Sequence, residues 1–145
     1  MPYERLSGKN RGIWLRKTTG REKKLESWCD ALRDEVKVPS VSIIVEGRKD
    51  VGVLRELRIR AVAIGRNPKA LAGKLLEEGI RTVILLPDTD RAGEAHLKNW
   101  RSIFQLMGFG IIDRYWKILR SLRISHVEGI LAHIRKSDIE YDTEK

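Results

Sequence analysis

The sequence predicts an α/β fold, with about four mainly parallel strands in one sheet and helices on both of its faces. Three observations predict it. Short apolar runs of strand length recur along the chain, segments with helical periodicity separate them, and glycine or proline marks most boundaries. Strands that alternate with helices in this way form parallel sheets covered on both sides. The 145 residues are enough for one domain with a substantial core.

The predicted strands are short apolar runs rich in β-branched residues. The first ends at Glu46 and Gly47, and the third runs into Pro87. Runs this apolar are typical of strands that are buried on both faces of a parallel sheet. In chain order, the predicted strands are Val41 to Val45, Ala61 to Ile64, Thr82 to Leu86, and Phe109 to Ile112.

The predicted helices have apolar residues three or four positions apart. Pro68 suits the first turn of a helix, and Gly79 and Gly108 suit positions just past a helix C-terminus. Ser125 and Glu128 have the spacing of a capping box. The predicted helices are Arg21 to Val36, Lys49 to Leu57, Pro68 to Glu78, Ala92 to Met107, Tyr115 to Leu122, and a last helix from about Ser125.

The chain is predicted to comprise a basic N-terminal arm and helix (1–38), an α/β domain (39–135) and a C-terminal tail (136–145). The first 20 residues lack periodicity and are basic, so they are expected to be poorly ordered or partner-dependent. Trp14 is expected to dock on the domain, with stacking on a nucleic-acid base as the alternative. Four tryptophans leave room for an apolar interface with a second copy or a protein partner: Trp14, Trp28, Trp100 and Trp116.

Composition and charge narrow the class of protein. Hydrophobic residues make up 41% of the chain and charged residues 34%, as in globular proteins. No apolar run approaches the roughly 20 residues needed to span a bilayer, and the N-terminus lacks an apolar signal segment. We therefore expect a cytoplasmic protein with no membrane partner. The single cysteine, Cys29, excludes an intrachain disulfide and is expected to pack on a helix face.

The net charge of +9 favours a polyanionic partner, of which nucleic acid is the commonest. Solubility and an acidic protein partner are the alternatives. Basic residues that follow the first, third and fourth predicted strands are expected to contact phosphates without reading bases, although a solvated helix face is the other interpretation. These residues are Arg48, Lys49, Arg91, Lys98, Arg101, Arg114, Lys117, Arg120 and Arg123.

Acidic residues directly follow the first and third predicted strands. Glu46 follows the first, and Asp88 and Asp90 follow the third. The carboxyl ends of parallel strands meet at one edge, where such sheets bind ligands, and Asp50 lies one helical turn beyond Glu46. Carboxylates suit Mg²⁺, or Mn²⁺, better than zinc. Acidic strand ends without a metal, or aspartates that only cap the next helix, are the alternatives.

Two motifs in the chain resemble those of the Toprim domain, which occurs in bacterial primases, topoisomerases, some nucleases and recombination proteins. They are V-x-I-I-V-E-G-R-K-D and I-L-L-P-D-T-D-R-A-G, and the resemblance covers residues 40–131. The second motif is more similar to the primase and small-nuclease branches. The closing S-H-V-E-G-I is similar to small stand-alone Toprim proteins, a branch with relatives of ribosomal-RNA-maturing nucleases. The resemblance implies a Toprim, Rossmann-like fold with a basic N-terminal extension.

The resemblance also implies roles for individual residues. Glu46 matches the family's glutamate, a metal ligand or general acid/base, and Asp88 and Asp90 match its metal-binding, catalytic pair. Asp50 matches a further acidic position in the first helix. Glycines that let the backbone pass close to the site are matched by Gly47 and Gly93. The chain departs from the family's motifs in three places. These are the order of Arg48 and Lys49, Gly52 in place of a larger helix former, and Pro87 in place of a polar residue.

The histidines show no metal-binding spacing along the chain. His126 is interpreted as a surface residue at a helix start, with a role as general base as the alternative. Glu128 is interpreted as a helix cap, while the resemblance to small Toprim proteins makes it a further candidate for the site.

The motifs and the charge predict an Mg²⁺-dependent protein that processes nucleic acid, with cleavage of phosphodiester bonds in RNA or DNA as the expected activity. The alternative is a non-catalytic metal-binding module that binds nucleic acid within a larger processing complex. An adaptor for an acidic protein ranks third. Topoisomerase activity is not expected, because no tyrosine motif of a topoisomerase is present and 145 residues leave no room for a strand-passage gate. A complete primase would need further domains.

Overall fold

The computed structural model describes residues 20–133 and, before them, two short strands, Tyr3–Arg5 (β1) and Trp14–Arg16 (β2). These two strands pair antiparallel. The sequence predicts no regular element there, because a three-residue strand is too short to show an alternating pattern. The docking expected of the Trp14 side chain and the tail 136–145 lie outside the described residues.

Four strands form the main sheet, in the order β4-β3-β5-β6, and all of their pairings are parallel. The predicted α/β fold with a parallel sheet is confirmed. The two central strands are the most deeply buried, because each has a neighbour on both sides. The strands are β3 (Val41–Val45), β4 (Val62–Ala63), β5 (Thr82–Leu85) and β6 (Gly110–Ile112).

The helices begin and end close to the predicted positions. Asn67 caps α3 by accepting from the backbone of Ala70, and Pro68 occupies the first turn. Gly79 and Gly108 adopt φ values of 87° and 88° where α3 and α4 end, a conformation that glycine takes without strain. The helices are α1 (Gly20–Glu35), α2 (Arg48–Glu56), α3 (Pro68–Glu77), α4 (Arg91–Leu106), α5 (Arg114–Ser121) and α6 (127–133).

Helices cover both faces of the sheet. On one face of the sheet α3 contacts α4. On the other face α1 contacts α5. The end of α2 lies beside α1, since the guanidinium of Arg33 donates to the carbonyl of Leu57. Right-handed crossovers place α2 on the face opposite α3 and α4. In the part of the chain that is described, no helix is both long and apolar enough to cross a membrane.

Three of the tryptophans belong to the core. Trp28, Trp100 and Trp116 are each at most 3% exposed, and the indole of Trp28 donates to the carbonyl of Tyr115. The expectation that these three supply an apolar interface is therefore wrong. Cys29 packs beside Trp28 on the buried face of α1, as predicted, and burial raises the pKa of its thiol to about 11.

Candidate metal centre

The carboxyl edge of the sheet has a topological switch point between β3 and β5. From β3 the chain crosses to β4 on one side, and from β5 it crosses to β6 on the other. Where neighbouring connections diverge in this way, a crevice opens that typically binds ligands. Glu46 directly follows β3, and Asp88 and Asp90 follow β5, so the predicted carboxylates lie at this crevice.

Glu46 and Asp88 contact each other across the switch point. The backbone N–H of Asp88 donates to Oε1 of Glu46 at 3.2 Å. Pro87 has no N–H, but the donor in this contact belongs to Asp88, so the proline does not disturb it. The same Oε1 lies 2.8 Å from Nδ1 of His96, whose ring stacks on buried Trp100. No pattern in the sequence predicts His96 to be a site residue.

Asp88, Asp90 and His126 form a group that fits a divalent cation. Each offers one ligand atom, and these atoms all lie within 4.8 Å of one another. Oδ2 of Asp88 is 3.1 Å from Nδ1 of His126. His126 is exposed, as predicted for a helix start, yet its ring lies against Asp88. The structure thus brings the two predicted aspartates close to the imidazole of His126, which the sequence predicts to be only a surface residue.

Hydrogen bonds hold the aspartate loop against the segment that carries His126. Thr89, between the two aspartates, donates its backbone N–H to the carbonyl of Ser125 at 2.9 Å and its hydroxyl to the carbonyl of Ile124 at 2.7 Å. The buried indole of Trp116 donates to the carbonyl of Asp88 at 3.0 Å. These contacts fix the backbone on which two of the three candidate ligands stand.

Gly93 is required by the close approach of the aspartate loop to α4. A Cβ atom at this position would lie 1.6 Å from the carbonyl oxygen of Asp88. The predicted close passage of backbone at this glycine is present, and its role at a functional site stays a prediction. Gly47 differs, because a Cβ there meets nothing within 4 Å. Packing within the described chain therefore does not require glycine at that position.

Two of the carboxylates also cap helices. Oδ1 of Asp90 accepts from the backbone N–H of Gly93 at 2.7 Å, at the start of α4. Oδ2 of Asp50 accepts from the backbone N–H of Gly47 at 3.1 Å, at the start of α2. The capping alternative considered for the sequence is therefore correct for Asp90. It does not exclude a metal, since each carboxylate has a second oxygen.

Negative charge is concentrated at the site. Partial burial raises the pKa of Asp88, and the charges of Glu46 and Asp50 raise it further, while His126 opposes the shift. Burial also raises the pKa of Asp50. Carboxylates whose charged forms are disfavoured in this way gain most from a bound cation, which reverses the local electrostatics.

The pH dependence of cation binding follows from the pKa of His126. Its hydrogen bond to Asp88 raises this pKa above the ordinary 6.5, and a cation bound by the ring must displace the proton. We expect the affinity to be highest above the raised pKa and to fall by up to about tenfold per pH unit below it. Calorimetric titrations between about pH 5.5 and about pH 8.5 measure this; a flat profile would contradict it.

Without a cation, it is the protonated form of His126 that stabilises the protein. A raised pKa in the folded state means that the pair with Asp88 stabilises the fold below pH 6.5. This contribution is lost as the pH rises through the raised pKa. Thermal melts with and without a cation should therefore diverge as the pH increases.

Ion pairs occupy part of the predicted phosphate-binding surface. The pairs are Lys49 with Glu128, Arg101 and Lys117 with Asp113, Arg114 with Glu35, and Arg120 with Glu94. Within residues 20–133, no ion pair involves the four other predicted cations, which are Arg48, Arg91, Lys98 and Arg123. Pairs that are exposed to solvent stabilise by about 1 kcal/mol or less, so at those pairs a phosphate can replace the carboxylate as the partner of the cation.

The predicted cap at the start of the last helix is wrong. Helical geometry begins at residue 127, and the carboxylate of Glu128 pairs with Lys49 of α2 at 3.1 Å. Glu128 lies two residues after His126, and both residues line a cavity of about 230 Å³. Arg21, Arg123 and His133 also line this cavity, which gives it a mainly basic wall.

Comparisons with known proteins concern the fold. A scan against protein-family models finds no match, and a search of curated proteins finds no relative. Among solved structures, an uncharacterised protein from Aquifex aeolicus is similar, with a TM-score of 0.66 and 25% sequence identity. The alignment covers 72% of this chain and 96% of that chain. The chain is thus an α/β protein with a Rossmann-like, all-parallel sheet.

Proposed function

We propose that the chain is a Toprim-type protein that binds a divalent cation of the Mg²⁺ and Mn²⁺ class and cleaves phosphodiester bonds in RNA or DNA in the cytoplasm. One observation carries the proposal. Asp88, Asp90 and His126 offer ligand atoms within 4.8 Å of one another, and they do so at the switch point of a parallel sheet, beside Glu46.

The donor set fits such a cation. Two carboxylates and an imidazole would hold it, and exposed Asp90 and His126 leave one side of the site open to solvent. A divalent cation here would polarise a phosphoryl oxygen and offset charge on the attacking and leaving oxygens. Substrate would then be held by phosphate contacts from the surrounding cations, with no step that demands base recognition.

Proton transfer is assigned to the pair formed by Glu46 and His96. Glu46 accepts from the backbone of Asp88, which fixes its carboxylate, and Oε1 is 2.8 Å from Nδ1 of His96. A carboxylate on one ring nitrogen orients an imidazole and leaves the other nitrogen to take or give a proton. His96 is half exposed, so that second nitrogen, Nε2, is accessible to a substrate.

The charge of the chain supports a polyanionic substrate. The net charge is +9, and Arg48 and Arg91 flank the site at the starts of α2 and α4 without an ion-pair partner among the described residues. The basic wall of the neighbouring cavity extends this surface beyond His126. Affinity for nucleic acid should therefore fall steeply with salt.

A cleavage panel tests the proposal. Single- and double-stranded RNA and DNA are incubated with the protein and Mg²⁺, Mn²⁺ or EDTA, and products are resolved on denaturing gels. We expect at least one substrate to be cut with a cation and none with EDTA. Salt-sensitive binding without cleavage would assign the non-catalytic module that the sequence also allows. Absence of both binding and cleavage at low salt would contradict the proposal.

A further inference from the structure

We propose that His126 supplies a nitrogen ligand and makes this site select a transition cation of the Mn²⁺ kind over Mg²⁺. The inference rests on the metal site of the proposed function but does not require that the protein cleave nucleic acid. The sequence motifs predict only oxygen ligands, which suit Mg²⁺. Imidazole suits transition metals, so one histidine in a ligand position changes which cation binds best.

The spacing of the ligand atoms fits a shared ion. Nδ1 of His126 lies 3.1 Å from Oδ2 of Asp88. Two ligand atoms on neighbouring corners of an octahedron, each about 2.1 Å from the ion, are about 3 Å apart. The separation of these two atoms therefore already matches that of two ligands on one cation. Asp90 offers a carboxylate oxygen that lies within 4.8 Å of a ligand atom of each of the other two residues.

The imidazole is held at the site by the aspartate loop itself. Thr89 bonds the carbonyls of both Ile124 and Ser125, the two residues that precede His126. Ile124, two residues before His126, and Val127, directly after it, are at most 3% exposed. The backbone that carries His126 is thus anchored in the core and tied to the residue between the two aspartates. This arrangement positions the imidazole as a ligand rather than as a freely moving surface side chain.

The charge of the donor set also favours a transition cation over Mg²⁺. His126 is neutral when it ligates, so the three ligands carry two negative charges rather than three. Mg²⁺ is bound chiefly through electrostatic attraction to oxygen and keeps its water tightly, so it loses most from a neutral nitrogen ligand. A transition cation regains stabilisation from the nitrogen. The site therefore discriminates between Mg²⁺ and a transition cation through one ligand, His126.

A His126→Asn variant tests the selectivity, because asparagine offers a neutral oxygen in place of the nitrogen. Calorimetric titrations with Mn²⁺ and with Mg²⁺ should show the Mn²⁺ affinity reduced by about tenfold or more, with the Mg²⁺ affinity much less affected. His133→Asn is the matched control, since His133 lies on α6 outside the ligand group, and it should leave both affinities unchanged. Equal losses for both cations, or no loss, would overturn the proposal.

Electron paramagnetic resonance of Mn²⁺ bound to the wild-type protein gives a readout that needs no variant. We expect a ¹⁴N coupling from a directly bound imidazole, absent in His126→Asn and retained in His133→Asn. Bound Mn²⁺ without this coupling would overturn the role of His126 and leave the proposed nuclease untouched. Mn²⁺ coupling without cleavage of any substrate would retain the site and reject the nuclease. No binding of either cation would overturn both.

Discussion

An Asp88→Ala variant is expected to lose divalent-cation binding and to cut nucleic acid at least ~100-fold more slowly than wild type, with its fold unchanged. The backbone of Asp88 bonds Glu46 and Trp116, and alanine keeps both of these contacts. The side chain contacts His126 at the site. The substitution therefore removes the carboxylate and little else. Cation-induced shifts in Tm and cleavage rates measure the two losses.

The stability of the cation-free variant separates a functional role from a structural one. Asp88 is partly buried and lies near the charges of Glu46 and Asp50, which raise its pKa. Removing such a carboxylate relieves repulsion, so above the raised pKa of His126, where the pair with Asp88 no longer stabilises the fold, the variant should unfold at or above the wild-type Tm when no cation is present. A cation should raise the Tm of wild type alone. A variant that melts lower and still responds to the cation would contradict the assignment.

Companion variants control for helix capping and for surface charge. Asp90→Ser keeps an oxygen that can accept from Gly93, whereas alanine would also lose the cap of α4 at a cost of about 1 kcal/mol. The serine variant should therefore weaken cation binding without destabilising the helix. Asp34→Ala removes an exposed aspartate whose ion pair within residues 20–133 is with Lys37. It should bind the cation and cut substrate like wild type.

Gly93→Ala is expected to destabilise the protein by roughly 3 kcal/mol and to weaken cation binding. The new methyl group would lie 1.6 Å from the carbonyl oxygen of Asp88, and this backbone cannot yield as a flexible side chain would. Moving the loop also strains the hydrogen bond from Trp116 to the same carbonyl. Urea denaturation and cation titration measure the two effects.

Gly52→Ala is the matched control for the glycine substitution. Gly52 lies inside α2, where a Cβ meets nothing within 4 Å. Alanine in the interior of a helix is more favourable than glycine by about 0.5–1 kcal/mol, so this variant should be more stable than wild type. Wild-type stability and cation affinity in Gly93→Ala would show that the loop adapts and would contradict its role as a rigid support.

Most of the fold could be predicted because its determinants are local. The run from Val41 to Val45 became β3 without a change of bounds, and Pro68, Gly79 and Gly108 mark helix ends through their own backbone preferences. The order of the strands could not be predicted, since it depends on which faces of separate elements pack together. β1 was not predicted for a different reason. Three residues are too few to show the two-residue alternation of side chains that marks a strand.

The site could be predicted only in part. Glu46, Asp88 and Asp90 follow strands of one parallel sheet, so local patterns place them at one edge. His96 and His126 reach the site through tertiary packing: His96 contacts a residue 50 positions away. Spacing along the chain gave no indication of either. The hydrogen bonds of Thr89 to the carbonyls before His126 are also long-range. They hold the segment that carries the imidazole at the site.

The central claim is that Asp88, Asp90 and His126 together bind one divalent cation, and a crystal structure of the protein grown with Mn²⁺ tests it most directly. Anomalous diffraction at the manganese edge locates the ion independently of the protein atoms. We expect one strong peak about 2.2 Å from a carboxylate oxygen of each aspartate and from Nδ1 of His126. A fully ordered site without a peak, or a peak bound by other residues, would contradict the account.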